Sequence, residues 1–537
     1  MKSAWSDEEA TAAVDRLRAR FPGRCDRQIA LRIYTSQLIG REPRLVLHGG
    51  GNTSVKTALM DDLGDPCEVL CVKGSGWDLA TLDVPGLPAL RLRPLQALRR
   101  LDRLSDSAMV NAARIRLLDA TAPNPSVEVL LHAFLRHTFI DHSHADAILS
   151  LVSQTDALSI IDEVYGDRLA VVPYVMPGFA LAKLAAEIAE ANPNCEGLLL
   201  LQHGLFTFGA DARESYERHI SAVTAAEAQI ARVRVATGQA PAKHTSTETE
   251  TKLEQSDALR SWTRVAATLR GALRDENHSY ILHLRRSLSI SAFLSRPREQ
   301  LLELTGRGPV TPDHVIRTKP RPLVLDLDLN LNLTLETESL RTQIDAALAD
   351  YRAEYRAYFA RQTSSRNLDR IALDADPRVL LIPGLGLVGV GIDERAARIA
   401  ADLYEHTITV ISDAEVIGHH QALPECDIFD MEYWPLEQAK LGRQKKLPLS
   451  GKVVIISGAA GGIGLACARR FADQGAALWL IDRDGPGLEA ATKTLGNLDN
   501  LAIGIATVDI VDRQAVEATA RACVARFGGI DGIIANA

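Results

Sequence analysis

The sequence predicts an α/β protein in three parts. These are a layered α/β/α domain over residues 1–240, a middle α/β region with its connector over 241–445, and a final, incomplete parallel α/β unit over 446–537. Three observations carry this. From about residue 45 to 238, apolar strand-like runs alternate with helical patterns, the mark of layered α/β architecture. After residue 452 come a strand, a glycine-rich turn, a helix and a second strand ending in an acid. Two polar stretches separate the parts: residues 239–255, rich in Thr and Glu, and the basic GRQKKLPLSGKV before the last part. A length of 537 residues also suits about three domains.

Composition narrows the function classes. Hydrophobic residues make up 46% and charged residues 24%, as in a soluble globular protein. A net charge of −8 gives no reason to expect nucleic acid or an anionic membrane as partner. No apolar run approaches the ~20 residues that span a bilayer. The acidic, amphipathic N-terminus is unlike a secretory signal. Seven scattered cysteines with no CxxC pair point to free thiols in a reducing, cytoplasmic setting. Cys67 and Cys71, four apart, read as core residues.

The elements follow in order. Residues 7–21 form an amphipathic helix with Ser6 as N-cap before an acidic first turn, and a second helix runs from Asp26 to Leu38. RLVLHGGGNTSVK reads as a strand, a glycine turn and a return strand, and EVLCVKGS as another strand ending in a turn. Such turns expose backbone N–H groups that suit phosphate oxygens. Pro125 and Ser126 start a helix with Glu128 in its first turn. FIDHSH is a short strand, so His142 and His144, two apart, point the same way and can reach one ion. A helix, a strand at 170–175, a helix at 179–191 and the strand GLLLLQHG follow, then a helix over 213–238. His203 ends that strand before Gly204, where the backbone can turn closely around a site. Three histidines with Glu128 beside them make a candidate Lewis-acid centre with a base. His132 and His137 are rival ligands.

In the middle region, His314, Arg317 and Lys319 read as a solvated face or as contacts to an anion, and residues 336–362 as a helix whose tyrosines 351, 355 and 358 pack. RVLLIPGLGLVGVG carries GxGxxG at Gly384, Gly386 and Gly389. The nearest acid at a second strand end, Asp413, is 29 residues beyond Gly384, so a structural βαβ unit is expected rather than a nucleotide site. FDMEYWPLEQAKLG at 429–442 resembles the connecting helix of two-part aldolase–dehydrogenase proteins.

Five motifs occur in order: GGGNTSVK at 49–56, KGSGWDL at 73–79, PSVE at 125–128, HSH at 142–144 and QHG at 202–204. Together they resemble the class II aldolase/adducin family. The resemblance implies a zinc ion, or another divalent metal, on His142, His144 and His203. It implies Glu128 as catalytic acid/base, and Asn52, Ser75, Gly76 and Ser126 around a substrate phosphate. Val127 stands where the family often has a second serine. Relatives build a tetramer, so a homo-oligomer acting on a small phosphorylated sugar is implied.

VVIISGAAGGIGLACARRF has Gly458, Gly462 and Gly464 in the GxxxGxG spacing, with Ser457 before them and Ile463 between. ALWLID ends at Asp482, TVDIVD holds Asp509, and GIDGIIANA leads to Asn536. This resembles a short-chain dehydrogenase with a Rossmann NAD site. Asp482 favours NAD over NADP. The chain stops at Ala537, before that family's catalytic serine and tyrosine-x-x-x-lysine pair. The expectation is a fragment of a longer two-enzyme chain, with an exposed sheet edge and no dehydrogenase activity. The two resemblances together imply a bifunctional aldolase/short-chain dehydrogenase. Its reaction would be cleavage of a ketose 1-phosphate, rhamnulose 1-phosphate foremost, to dihydroxyacetone phosphate and an aldehyde such as lactaldehyde. A sugar-phosphate 4-epimerase and a non-catalytic adducin-like module are the alternatives.

Overall fold

A computed structural model describes residues 1–238, 257–275, 278–327, 337–441, 447–496 and 502–537. The expected linker at 239–255 lies outside the described residues, as do residues 442–446 of the basic one. Chain contacts divide the molecule into two units. One comprises Met1–Pro241, Pro309–Ile316 and Thr409–Gly442; the other comprises Ala242–Gly308, Arg317–Ile408 and Arg443–Ala537.

The first unit opens with α1 (Asp7–Arg20) and α2 (Arg27–Gly40). Each starts where a side chain satisfies an otherwise unpaired amide. Ser6 accepts from Glu9 N–H, and Asp26 from Ile29 N–H at 2.7 Å. Then come β1 (Asn52–Met60), β2 (Pro66–Val72), β3 (Ala89–Arg91), α3 (Leu92–Gln96), α4 (Asp106–Arg114), α5 (Val129–Phe134) and β4 (Phe139–Ser143). The series continues through α6 (Asp146–Val152), α7 (Ala157–Tyr165), β5 (Leu169–Val172), α8 (Phe179–Ala191), β6 (Gly197–Leu200), β7 (Gly204–Gly209) and α9 (Ala212–Ala236). The strands form one sheet in the order β3-β2-β1-β4-β7-β6-β5. Its pairs are antiparallel except β5 with β6.

The central strand β4 is buried on both faces. Ile140 joins Phe206, Phe208, Leu131 and Ala182 in a core against α5 and α8. Strand alternation sends Asp141 and Ser143 to the other face, where α2 and α9 pack. There the contacts are polar. Arg32 is ion-paired with Asp141, both side chains fully buried, and Ser215 donates to the same carboxylate. Ser143 bonds His219 at 2.6 Å, and Thr207 holds that ring's other nitrogen at 2.9 Å.

Several local expectations need correction. Residues 44–47 are a turn and irregular chain, not a strand: they carry the chain from α2 into the glycine turn before β1. α5 begins at Val129, which puts Glu128 at the N-cap position rather than in the first turn. The connector at 429–442 is broken. Helix Glu425–Glu432 ends before Pro435, which begins a separate short helix, Pro435–Gln438.

In the second unit, β8 (Ile281–Arg285), β9 (Leu323–Val324), β10 (Val379–Ile382) and β11 (Gly386–Gly391) pair in the order β8-β11-β10-β9. Helices Asp257–Leu273 and Thr337–Arg366 share a core with this sheet around Trp262, Leu269, Ile344, Leu348 and Val388. The GxGxxG stretch is an antiparallel hairpin, not a βαβ unit. Pro383 and Gly384 occupy its turn, and Gly384 has φ +76°, the left-handed value a type II turn needs at that position. Gly389 lets helix Glu394–Ile417 approach: a Cβ there would lie 2.0 Å from Ala397 O. Asp413 is inside that helix rather than at a strand end; it is buried and ion-paired with Arg234 of α9. Lys319 is not on a solvated face. It is buried, donates to Asp374 O at 2.7 Å and sits 3.9 Å above the Tyr355 ring.

The last strands, β12 (Val453–Ser457), β13 (Ala477–Asp482), β14 (Ile503–Thr507) and β15 (Gly532–Ile534), form a wholly parallel sheet in the order β14-β13-β12-β15. This is the Rossmann arrangement expected from the glycine turn and the terminal acid. Ile505 and Ile533 on its two edge strands are exposed. Among the described residues, no helix is long and apolar enough to cross a membrane.

Candidate metal centre

Each histidine is delivered by a distinct piece of backbone. His142 lies on β4, opposite Asn52 of β1 and Phe206 of β7. His144 follows one residue past the strand end, and His203 sits in the tight turn between β6 and β7. Gly204 is required there: a Cβ would meet Ser143 O at 2.4 Å and both neighbouring imidazoles within 3.3 Å. The result is a buried group in which one nitrogen from each of the three rings lies within 4.8 Å of the others.

The nitrogens are set up as lone-pair donors. His142 Nδ1 faces Leu205 O at 3.0 Å, so its proton resides there and Nε2 is left bare. That Nε2 lies 3.1 Å from His144 Nε2. Burial pushes the His142 imidazole down to about 4 and His144 well below the ordinary histidine value. Both rings are therefore neutral at pH 7, the form that ligates metal.

Glu128 closes one side. Its Oε2 is 3.5 Å from His142 Nε2, and its Oε1 is 3.8 Å from His203 Nε2. Asn52 Nδ2 donates to Glu128 Oε2 at 2.5 Å and lies 3.2 Å from Ser126 Oγ. Asn52 Oδ1 accepts from His132, whose other nitrogen bonds Ser54 Oγ at 2.7 Å. Asn52 is thus engaged at both ends, and its geometry orients the carboxylate. Glu128 Oε1 is buried and has no hydrogen-bond partner among the described residues. An orphaned carboxylate oxygen beside three converging neutral imidazoles fits a divalent cation in a His-rich site. The rival histidines are otherwise used: His132 in that network, and His137 stacked on Phe208 at 3.9 Å.

The Ser75–Gly76 turn runs beside Ser126. Ser75 N–H donates to Asn124 O at 2.8 Å, and Ser126 N–H to Lys73 O at 2.9 Å. Lys73 holds this turn to the earlier glycine turn by donating to Trp77 O and Gly49 O, at 2.7 and 2.6 Å. Burial, with Lys440 nearby, pushes its ammonium down to about 7. Sequence reasoning missed Lys73, although its motif was in view. It also missed Asp313, Glu437 and Lys440. Asp313 Oδ2 is 3.7 Å from His144 Nδ1, and Lys440 is 3.7 Å from Asp313 and 2.7 Å from Glu437. No motif marks these residues, which lie more than 100 positions beyond His203.

The buried neutral rings have a measurable consequence. His132, His142, His144 and His219 all have folded-state pKa values below the ordinary 6.5. Between pH 6.5 and about 4 the unfolded chain binds more protons, so stability falls as pH falls through that window. The urea midpoint of metal-free protein is expected to be clearly lower at pH 5 than at pH 7. Equal midpoints would contradict the neutral, buried rings.

In the last part, the glycine turn between β12 and helix Gly462–Asp473 has the form of a phosphate cradle. Gly458 has φ +61°, and Asn536 Nδ2 donates to its carbonyl at 3.2 Å and to that of Ser457 at 3.3 Å. Ser457 Oγ donates to Ile534 O at 3.3 Å. A Cβ at Gly464 would strike Gly458 O at 2.2 Å, whereas one at Gly462 would meet nothing within 4 Å, and Ile463 is exposed. Asp482 stands at the end of β13, fixed by Ala460 and Asp484 N–H groups at 3.0 and 3.1 Å. Asp509 accepts from Val511 N–H at 3.1 Å and is exposed. The open approach at Gly462 and the acid at a strand end fit a dinucleotide.

The chain thus joins a three-histidine cluster on a mixed sheet to a parallel Rossmann-type sheet, and comparison with known proteins shows the class of protein that carries both. Residues 32–230 match the class II aldolase and adducin N-terminal domain, 260–441 the second domain of class II aldolase, and 452–537 the short chain dehydrogenases. The chain belongs to the family that joins class II aldolase/adducin domains to a short-chain dehydrogenase domain. Uncharacterized oxidoreductase YuxG of Bacillus subtilis (strain 168) is 33% identical over 512 residues, 94% of this chain and 72% of the relative. D-threitol dehydrogenase of Mycolicibacterium smegmatis is 39% identical over 89 residues, 17% of this chain and 34% of its own. The solved N-terminal class II aldolase domain of a Thermoplasma acidophilum protein is 39% identical, covering 43% of this chain and 99% of its own, with a TM-score of 0.38.

Proposed function

We propose that the first unit is a metal-dependent aldehyde-lyase. It cleaves a ketose 1-phosphate, rhamnulose 1-phosphate foremost, to dihydroxyacetone phosphate and an aldehyde such as lactaldehyde. The observation that carries this reading is the convergence of the three histidines beside the unpartnered Glu128 oxygen. His142, His144 and His203 would hold the ion. When bound, a divalent metal supplies Lewis acidity to the carbonyl and hydroxyl oxygens of the substrate. Glu128, aimed by Asn52, would take the proton of the substrate hydroxyl beyond the breaking carbon–carbon bond and deliver it to the carbon next to the carbonyl, the reverse transfer serving condensation. The glycine turns held by Lys73, together with Asn52, Ser75, Gly76 and Ser126, would receive the phosphate. Residues 452–537 would bind the adenosine and pyrophosphate of NAD, with Asp482 facing the ribose. An aldehyde released by one half is a substrate type that a dehydrogenase half oxidises.

The test is to offer rhamnulose 1-phosphate to the zinc-loaded chain and identify products. Dihydroxyacetone phosphate with an aldehyde supports the reading. An isomeric sugar phosphate without fragments would move it to a 4-epimerase, and a chain that takes up no metal would move it to an adducin-like module. Glu128→Gln keeps the shape and removes the base. It is expected to retain zinc while losing about 10²–10⁴ of the cleavage rate. Full activity in that variant would remove Glu128 from the chemistry.

A further inference from the structure

Two segments far from the histidines in sequence reach their centre. Turn Pro312–His314 carries Asp313, and the helix Pro435–Gln438 with the turn Ala439–Leu441 carries Glu437 and Lys440. Both are anchored within the first unit. Val315, Ile428, Met431 and Trp434 share an apolar cluster against Tyr174 and Met176, and Trp434 Nε1 donates to Asp106 at 2.6 Å. Asp313 spans two of the three histidines: Oδ2 is 3.7 Å from His144 Nδ1 and Oδ1 is 4.0 Å from His203 Nε2. His144 turns its opposite nitrogen, Nε2, to His142 at 3.1 Å.

An ordinary ion pair does not account for Asp313. Lys440 is already met by Glu437 at 2.7 Å, closer than its 3.7 Å to Asp313. Glu437 takes the nearer place at the ammonium, while both Asp313 oxygens face imidazoles, an arrangement that complements a cation held by those rings rather than the lysine. A carboxylate at the far nitrogen of a metal-ligating histidine fixes its tautomer and ring orientation and raises its basicity.

We propose that Asp313, held by Lys440 and Glu437, is a positioning residue of the metal centre that aims His144 Nε2 at the ion. This rests on reading the three histidines as that centre, and it gives segments 309–316 and 435–441 a role in completing it.

The experiment is zinc affinity by chelator competition, with the visible spectrum of the cobalt-loaded form, on the full chain and its Asp313→Ala, Asp313→Asn and His144→Ala variants. Asp313→Ala is expected to bind zinc about 10–100-fold more weakly and to shift the cobalt spectrum. Asp313→Asn, whose amide oxygen keeps a dipole facing His144 Nδ1, should fall between it and the parent. Should the alanine variant not fold, the near-isosteric asparagine decides. Both Asp313 variants within about threefold of the parent, with an unchanged spectrum, while His144→Ala loses zinc, would overturn the proposal and leave the centre standing. Undiminished zinc binding in His144→Ala would overturn the centre itself.

Discussion

Replacing His142 with alanine is expected to remove both bound metal and aldol cleavage. His142 sits at the middle of the cluster: its Nε2 is 3.1 Å from His144 Nε2 and 3.5 Å from Glu128. Its ring is locked by the Leu205 carbonyl and stacked on Phe206 at 4.0 Å. Removing a direct ligand should cost more than the roughly 10–100-fold that follows loss of an outer partner. Metal content after gel filtration and dihydroxyacetone phosphate release are the readouts. A variant that keeps about one zinc per chain would show that His142 is a buried structural residue, not a ligand.

The second large effect is expected one residue away, on the opposite face of the strand. Asp141→Ala leaves the fully buried Arg32 guanidinium without its carboxylate and Ser215 with only the longer bond to Thr207 O at 3.4 Å. Arg32 also donates to Thr35 Oγ1 at 2.5 Å and Ile140 O at 3.3 Å, so it cannot swing to solvent without breaking α2 away from the sheet. Stranding a buried charge costs about 3–5 kcal/mol. Urea unfolding should show a loss of that size. The double variant Arg32→Leu/Asp141→Leu should recover much of it, since the charge no longer needs a partner. A loss under about 1 kcal/mol in Asp141→Ala would mean that water reaches Arg32 and the pair is worth no more than a surface one.

The local elements were largely legible in the sequence because their signals are local. Ser6 and Asp26 announce the starts of α1 and α2, and apolar spacing marks α8 at Phe179–Ala191. The HSH pair shares a site because strand geometry makes residues two apart neighbours. Gly204 and Gly458 mark places where the backbone must turn or approach closely. What misled was also local. The β-branched TITVIS run reads as a strand, yet it lies in helix Glu394–Ile417, whose close approach to β11 is set by the missing side chains of Gly389 and Gly391. Packing overrode propensity there.

The sequence by itself determined the family: five motifs in order resemble class II aldolase/adducin, and the glycine turn with its terminal acid resembles the short-chain dehydrogenases. Only the tertiary structure decided which polar groups serve them. The folding of residues 309–316 and 435–441 within the first unit brings Asp313 to His144 and Lys440, paired with Glu437, to Asp313. Strand alternation turns Asp141 and Ser143 to the opposite face, where Arg32 of α2 and His219 of α9 meet them. Such partners are chosen by distance in space, and a buried charge can be satisfied from any point along the chain that the fold brings within reach.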